Sequence, residues 1–333
     1  MSGLKPFLVR LSGGERLSAA EAAEAFGIVM RGEATPAQTG ALLMGLRQRG
    51  ESVDEIAGAV TAMRAAMTRV EAPAHAIDCC GTGGDGAHTL NISTAVAFVL
   101  AGAGVTVAKH GNRAMTSKSG AADVLAALGV PVALTPDQAA AALRDNRFAF
   151  LFAQSFHPAM RHVGPVRQEL GFRTLFNLMG PLANPAGVTR QLIGAPTPAA
   201  ARTMADVLAA LGVEKAWTVS GHGGLDELSP SGPSVVFMVE NGVVTEGVVS
   251  PADAGLPVNP VSAIAGGDAT ENAAALNDLL NGAEGAYRDT VLLNAAAALV
   301  VAGSASTVRE GAALAATSID SGAALAALNA ARS

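Results

Sequence analysis

Apolar residues recur at helical spacing through the first 70 positions, and each such stretch opens on a polar start signal. Ser18 is followed three places later by Glu21, Thr35 by Gln38 with Pro36 between them, and Ser52 by Glu55. In each pair the hydroxyl accepts from a first-turn amide while the acid or amide side chain reaches back, a reciprocal capping box. This segment reads as all helical. From residue 75 the pattern changes to short β-rich runs: 76–78 leading into Cys79-Cys80, then Val105 to Ala108, Phe148 to Ala153, Gln191 to Gly194 and Lys215 to Ser220. Alanine-rich helical stretches separate them, which predicts a mainly parallel sheet with helices on its faces. Thr135-Pro136-Asp137-Gln138 starts another helix with proline at its first position. Asn241-Gly242 between two valine-rich runs predicts a tight hairpin, hence a late antiparallel addition. The alanine-rich C-terminus, as at Ala295 to Ala298, reads as close-packed helix.

Composition narrows the function classes. The 333 residues, 50% of them hydrophobic, suffice for one large or two modest domains. A net charge of -6 without any basic run argues against a general nucleic-acid binder, which must neutralise many phosphates. The two cysteines are adjacent, too close for the usual zinc spacings, and read as buried thiols. The first residues lack an apolar core of signal-peptide length, and no apolar run reaches the roughly 18 residues of a membrane span. A soluble cytoplasmic protein is expected.

The run GTGGDG, Gly81 to Gly86, follows the first predicted strand. Glycine lets a chain approach an anion closely and turn successive N–H groups toward it, so a phosphorylated ligand is one reading and a plain glycine turn the other. Gly81, Gly83 and Gly86 also satisfy G-x-G-x-x-G, which requires an acid about 20 positions later. None occurs between Asp85 and Asp123, where Lys109, Arg113 and Lys118 lie instead. Asn91-Ile92-Ser93-Thr94 opens the next helix, where free amides and the dipole favour an anion; ordinary capping accounts for only one of these polar residues.

Lys109-His110-Gly111-Asn112-Arg113 lies at the carboxyl end of a predicted strand, where open α/β sheets place ligands; a solvated basic loop is the alternative. Thr116 to Gly120 adds a second hydroxyl and glycine cluster, suiting a substrate with two phosphorylated ends. Asp226-Glu227 follows another strand and offers hard oxygens suited to magnesium, although such a pair is commonly a solvated surface feature. Arg167 alone reads as a helix-surface arginine, though its planar fork matches a carboxylate.

Taken in order, GTGGDG, NIST, KHGNR, SKSG, RQELGFRTLFNLMGPLANPA and GLDE closely resemble the anthranilate phosphoribosyltransferases across essentially the whole chain. The resemblance implies a small all-helical domain, residues 1–72 with a returning segment at about 165–188, which forms homodimers and carries the anthranilate side. It also implies a larger α/β domain, 73–164 and 189–333, with a mainly parallel central sheet flanked by helices. Gly81, Gly84, Asp85, Thr89, Asn91, Ser93, Thr94 and Lys109 would hold phosphoribosyl pyrophosphate (PRPP). Gly81, Asn112 and Arg167 would contact anthranilate, with His110 beside its ring, and Ser93, Asp226 and Glu227 would serve Mg2+. The 109 to 117 loop would close over the donor, so that Gly111, Arg113, Ala114, Met115, Thr116 and Ser117 join the substrate side with Ile92 and Ala121. Two departures stand out: Ala121 replaces a serine common in the family, and Gln154-Ser155 replaces an Ala-Pro pair.

The implied reaction is displacement of pyrophosphate at the anomeric carbon by the amine of anthranilate, through an oxocarbenium-like state with inversion. It needs no covalent nucleophile; Lys109, His110 and Arg167 would position. Two rivals share the fold: a pyrimidine nucleoside phosphorylase, whose lysine-serine-arginine base-binding pattern is not found here, and a non-catalytic nucleic-acid-binding relative, which needs an extended basic surface.

Overall fold

The computed structural model describes residues 3–113 and 118–333. Four helices come first: α1 (Lys5–Ser12), α2 (Ala19–Met30), α3 (Pro36–Arg49) and α4 (Val53–Ala66). Ser18, Thr35 and Ser52 cap α2, α3 and α4 with both arms of each box formed. Glu55 is fully buried and does more than cap. Its carboxylate also accepts from the Leu17 amide at 2.9 Å and from Arg49 Nη2 at 2.5 Å, tying the start of α2 to the end of α3.

The α/β part begins with β1 (Ile77–Gly81), α5 (Ile92–Gly102), β2 (Val107–Gly111), α6 (Ala121–Ala127), α7 (Pro136–Asn146) and β3 (Phe148–Phe152). The short α8 (Ala153–Phe156) leads to α9 (Gly164–Leu170) and α10 (Phe176–Leu182). Then follow β4 (Arg190–Gly194), α11 (Pro198–Ala210), β5 (Lys215–Ser220), β6 (Ser234–Glu240) and β7 (Val243–Val249). Four helices close the chain: α12 (Ala269–Leu280), α13 (Ala286–Ala302), α14 (Val308–Asp320) and α15 (Ala323–Ala331).

The seven strands form one sheet in the order β3-β2-β1-β4-β5-β6-β7, parallel from β3 to β5 and antiparallel at β6 and β7. The predicted hairpin joins β6 to β7, with Asn241 at φ 51° and Gly242 at φ 79°, the two positive values that a type I′ turn requires. Strand order reverses between β1 and β4, so their carboxyl ends flank the topological switch point at which such sheets bind ligands.

Each strand residue faces opposite to the next. Ile77, Cys79, Val107, Phe148 and Phe150 enter the core shared with α5, α13 and α15, while Cys80, Ile193 and Ala216 enter the core shared with α11 and the N-terminal helices. α9 packs on α3 and α10 on α4, and Arg64 Nε of α4 donates to the Leu182 carbonyl at 2.8 Å. Among the described residues no single helix is long and apolar enough to cross a membrane.

Strand ends differ from the sequence reading in one place that matters. Runs of β-forming residues end at Ala108, yet β2 continues through Lys109, His110 and Gly111, because parallel pairing to Phe150, Leu151 and Phe152 carries the backbone on. Lys109 is therefore 1% exposed, and the solvated-loop alternative fails for it.

The N-terminal helices pack closely enough to test. A Cβ on Gly58 of α4 would overlap the Ala19 carbonyl oxygen and come within 2.7 Å of Ala22 Cβ. Alanine gains about 1 kcal/mol over glycine in helix propensity, but overpacking against backbone costs about 1–3 kcal/mol. Gly58→Ala is expected to destabilise by up to about 2 kcal/mol, read as a lower urea midpoint at unchanged m-value.

Candidate functional site

The carboxyl ends of β1, β2, β4 and β5 meet the loop carrying Asp226 and Glu227. That loop drops directly onto the strand ends, and two strand glycines make room for it. A Cβ on Gly81 would overlap the Asp226 carboxylate, and one on Gly194 would overlap the Asp226 carbonyl oxygen. Gly83 N–H donates to Asp226 Oδ2 at 2.6 Å, and Asp226 N–H reaches back to Asp85 Oδ2 at 3.4 Å. The cradle of Gly83, Gly84 and Gly86 is built from three positive φ values of 66°, 78° and 73°. Asp85 also accepts from the Ala87 amide, 3.0 Å away.

Helix α5 begins beside the acids. Asn91 occupies its N-cap position but provides no side-chain cap. Its Oδ1 instead accepts from Asn272 Nδ2 at 2.9 Å, so ordinary capping does not explain this residue. The Ser93 backbone donates to the Glu227 carboxylate, and Thr94 Oγ1 is buried without a partner among the described residues. Lys109 Nζ lies beneath, donating to the Cys79 carbonyl at 2.6 Å and to Ser93 Oγ at 3.1 Å. Ile92 turns its side chain into the core, and its amide is taken by the Leu90 carbonyl at 2.9 Å. Thr89 pairs with Ala265 in an isolated bridge.

Burial first, and then the charge of Asp85, push the Asp226 carboxyl well above the carboxylate range; burial and Asp226 push Glu227 up likewise. Three carboxylates thus share a neighbourhood whose buried cation is Lys109. That surplus of negative charge on hard oxygens, with Ser93 Oγ beside it, suits magnesium. Among the described residues no group of three or more acids, histidines or cysteines forms a complete cage. Magnesium is usually held by one or two carboxylates, waters and ligand phosphates, so an incomplete protein set fits it.

On the opposite sheet face the chemistry is different. His110 follows Lys109 and leaves on the other side, where its Nδ1 donates to the Gly180 carbonyl of α10 at 3.0 Å. His157, between α8 and α9, sits 5.1 Å away between ring centroids and donates to the Ala183 carbonyl. The Nε2 atom of each ring is buried without a partner among the described residues. Arg167 of α9 lies half buried over the Phe176 ring, 5.4 Å from its centroid, and among the described residues no carboxylate comes within ion-pair distance of it. Arg173 crosses from this side to the cradle and donates to the Gly83 carbonyl at 3.4 Å, over Gly84, where a Cβ would strike the guanidinium.

The structure therefore brings Gly81, Gly84, Asp85, Ser93, Thr94, Lys109, Asp226 and Glu227 together, with His110 and Arg167 at α10. Arg113 is engaged elsewhere, in an exposed pair with Asp123 at 2.8 Å, and Asn112 accepts from the Arg113 and Ala122 amides. Gly111 packs against Phe150 and Ala121. Gln154 and Ser155 are exposed on α8. Ala114, Met115, Thr116 and Ser117, with the loop closure expected of them, lie outside the described residues. His157 and Arg173 were not singled out from the sequence. HPAM and GFRT are too short to mark them, and only the shared contact with His110 and with Gly83 does so.

Residues 5–67 match the helical bundle domain of a glycosyl transferase family, and residues 73–325 match that family's a/b domain. Over 324 residues the chain is 55% identical to an anthranilate phosphoribosyltransferase of Rhodopseudomonas palustris, covering 97% of this chain and 96% of that one. This chain belongs to the anthranilate phosphoribosyltransferase family. Its backbone superposes on the family member from Thermus thermophilus with a TM-score of 0.91 at 42% identity, covering 97% of each chain. The member from Saccharomyces cerevisiae, solved in complex with PRPP and Mg, gives a TM-score of 0.89 at 30% identity over 98% of this chain and 96% of that one. Membership with this coverage sets aside the phosphorylase and nucleic-acid-binding rivals.

The histidine pair makes a pH prediction. Burial, then His157, then Lys109 hold His110 down at about 3 against the Gly180 carbonyl, and burial holds His157 at about 4 against the Ala183 carbonyl. Unfolded histidine titrates near 6.5, so the folded state binds fewer protons below that pH, and stability present above it is lost as pH falls toward 4. Asp78, raised to about 6 chiefly by burial, acts in the opposite direction, as do Asp226 and Glu227. His157→Asn removes one histidine contribution only. Its loss of stability between pH 6.5 and 5 should be smaller than wild type's by about 1.5 kcal/mol, measured from urea midpoints; equal losses would mean that His157 is not buried neutral.

Proposed function

We propose that this chain transfers the 5-phosphoribosyl group of PRPP to the amine of anthranilate, releasing pyrophosphate, as a step of L-tryptophan biosynthesis. The observation that carries the reading is the division of chemistry at the end of β2, where Lys109 and His110 leave on opposite faces of the sheet. Acids, glycines and a buried lysine lie on one side of it, and neutral imidazoles with an arginine that no described acid pairs on the other. PRPP needs the first environment and an aromatic carboxylate the second.

Gly81, Gly84, Asp85, Thr89, Asn91, Ser93, Thr94 and Lys109 hold the donor in this reading. The orphan Thr94 hydroxyl supplies a hydrogen bond to a phosphate oxygen, at a helix start whose dipole favours an anion. Ser93, Asp226 and Glu227 would hold Mg2+, which when bound offsets the charge of the pyrophosphate. Lys109 Nζ is already aimed by the Cys79 carbonyl and supplies fixed positive charge to the leaving group. Arg167 pairs the anthranilate carboxylate, supported by its lack of any acid partner among the described residues. His110 lies along the ring, kept neutral by burial, with its tautomer set by the Gly180 carbonyl.

The amine of anthranilate is itself a nucleophile, so these residues need only orient it and the anomeric carbon and stabilise charge that grows on pyrophosphate. The bond from anomeric carbon to pyrophosphate oxygen breaks ahead of the bond to nitrogen, with inversion, and the amine proton leaves to solvent or to the departing phosphate. Residues 1–72 with 165–188 form the helical unit in this reading, supported by the packing of α9 and α10 on α3 and α4. Exposed Val9 and Met44, on neighbouring helices α1 and α3, support a homodimer through that unit. The chain acts in the cytoplasm.

The test is loss of anthranilate fluorescence with PRPP and Mg2+. Arg167→Ala should raise the anthranilate KM about 10- to 100-fold, the loss of one charge-assisted pair worth roughly 1.5–3 kcal/mol. Asp226→Ala with Glu227→Ala should raise the magnesium requirement and lower kcat about 100-fold, leaving the anthranilate KM near wild type. A silent wild type would sink the activity. Active but unaltered variants would sink the residue roles, and net retention at the anomeric carbon would sink the direct displacement.

A further inference from the structure

α13 is buried along most of its length and almost wholly apolar after Val291, yet it carries Asn294, which is fully buried, in the middle of that run. Asn294 Oδ1 accepts from the Leu228 amide at 2.8 Å, and its Nδ2 donates to the Leu228 carbonyl at 3.0 Å and to Thr290 O at 2.9 Å. Leu228 directly follows Glu227. Two turns earlier on the same helix, Tyr287 donates its hydroxyl to the Asn91 carbonyl at 3.1 Å. Spacings of three and then four residues put Tyr287, Thr290 and Asn294 on one helix face. Burial and the Glu227 charge raise the Tyr287 phenol, which stays a neutral donor. Neither residue is among the site residues described above, and each fixes the backbone of a different wall.

We propose that Tyr287 and Asn294 are positioning residues that hold the start of α5 and the Asp226-Glu227 pair at the spacing PRPP and magnesium require. The inference deepens the donor reading proposed above and rests on it. Glu227 accepts from the Ser93 amide, so the two walls meet directly, and each is also pinned from behind by α13. Asn294 satisfies both backbone groups of one residue, which fixes rotation as well as position. Tyr287 is backed by Asn272, whose Nδ2 holds the Asn91 side chain while its Oδ1 accepts from the Gly267 amide at 2.8 Å. Residues that only supported the core would leave PRPP affinity unchanged when altered.

The test uses Tyr287→Phe, which keeps the ring and removes only the hydroxyl, and Asn294→Ser. PRPP is titrated calorimetrically into each protein with Mg2+ and without anthranilate, and both KM values and thermal midpoints are recorded. We expect the PRPP Kd to weaken about tenfold in each variant, by analogy with residues that orient metal ligands from behind, while the anthranilate KM stays within about twofold. If Asn294→Ser does not fold, Tyr287→Phe decides alone. PRPP affinity within twofold of wild type in Tyr287→Phe, or equal weakening toward PRPP and anthranilate, would overturn the inference while leaving the donor reading standing. A wild type that does not bind PRPP would overturn both.

Discussion

Two successive side chains in a strand must leave on opposite faces of the sheet, and the site is organised by that constraint acting at Lys109 and His110. Lys109 goes toward α5, where it bonds the Cys79 carbonyl and Ser93, beside the acids of the β5 loop. His110 goes toward α10, where a carbonyl fixes its tautomer and His157 shields it. One extra residue in β2 would exchange these faces, putting a charge among apolar helices and an imidazole among carboxylates. Pairing of Lys109 to Phe150 and His110 to Leu151 fixes the register.

The second requirement is close approach at the switch point. Asp226 and Glu227 become half-buried because their loop lies on the ends of β1 and β4, and it lies there because Gly81 and Gly194 carry no Cβ. Burial then raises both carboxyl groups, which no surface acid pair would experience. A bound cation would relieve that cost. Asp78, below the site, repeats the theme on a smaller scale. Its buried carboxyl accepts from the His110 amide at 3.1 Å and from Asn184 at 2.8 Å, joining β1, β2 and the segment after α10.

The N-terminal helices contribute through α9 and α10 rather than directly. Those two helices are contiguous in sequence with the α/β part, yet they pack on α3 and α4, and Arg64 holds the end of α10. Arg167, His110 and His157 therefore pack against an element, α10, whose Phe176, Met179 and Leu182 lie in the core that the N-terminal helices share with Cys80 and Ile193 of the sheet.

Local signals were legible wherever the physics is local. The capping boxes at Ser18, Thr35 and Ser52, the proline start at Pro136 and the Asn241-Gly242 turn each depend on residues within a few positions, and all formed as read. The glycine loop was legible as a tight turn for the same reason, with Gly83, Gly84 and Gly86 all at positive φ, and the long ordered string of motifs identified the family. Tertiary packing alone decided the rest. It extended β2 through Lys109 by pairing to β3, gave Asn91 a side-chain partner in Asn272, and engaged Arg113 with Asp123. It also placed Arg167, His157, Arg173, Tyr287 and Asn294, whose neighbours lie far away in sequence. Side-chain hydrogen bonds and burial between distant segments leave no periodic trace in the chain, so those residues could be found only once the sheet and helices had brought them together.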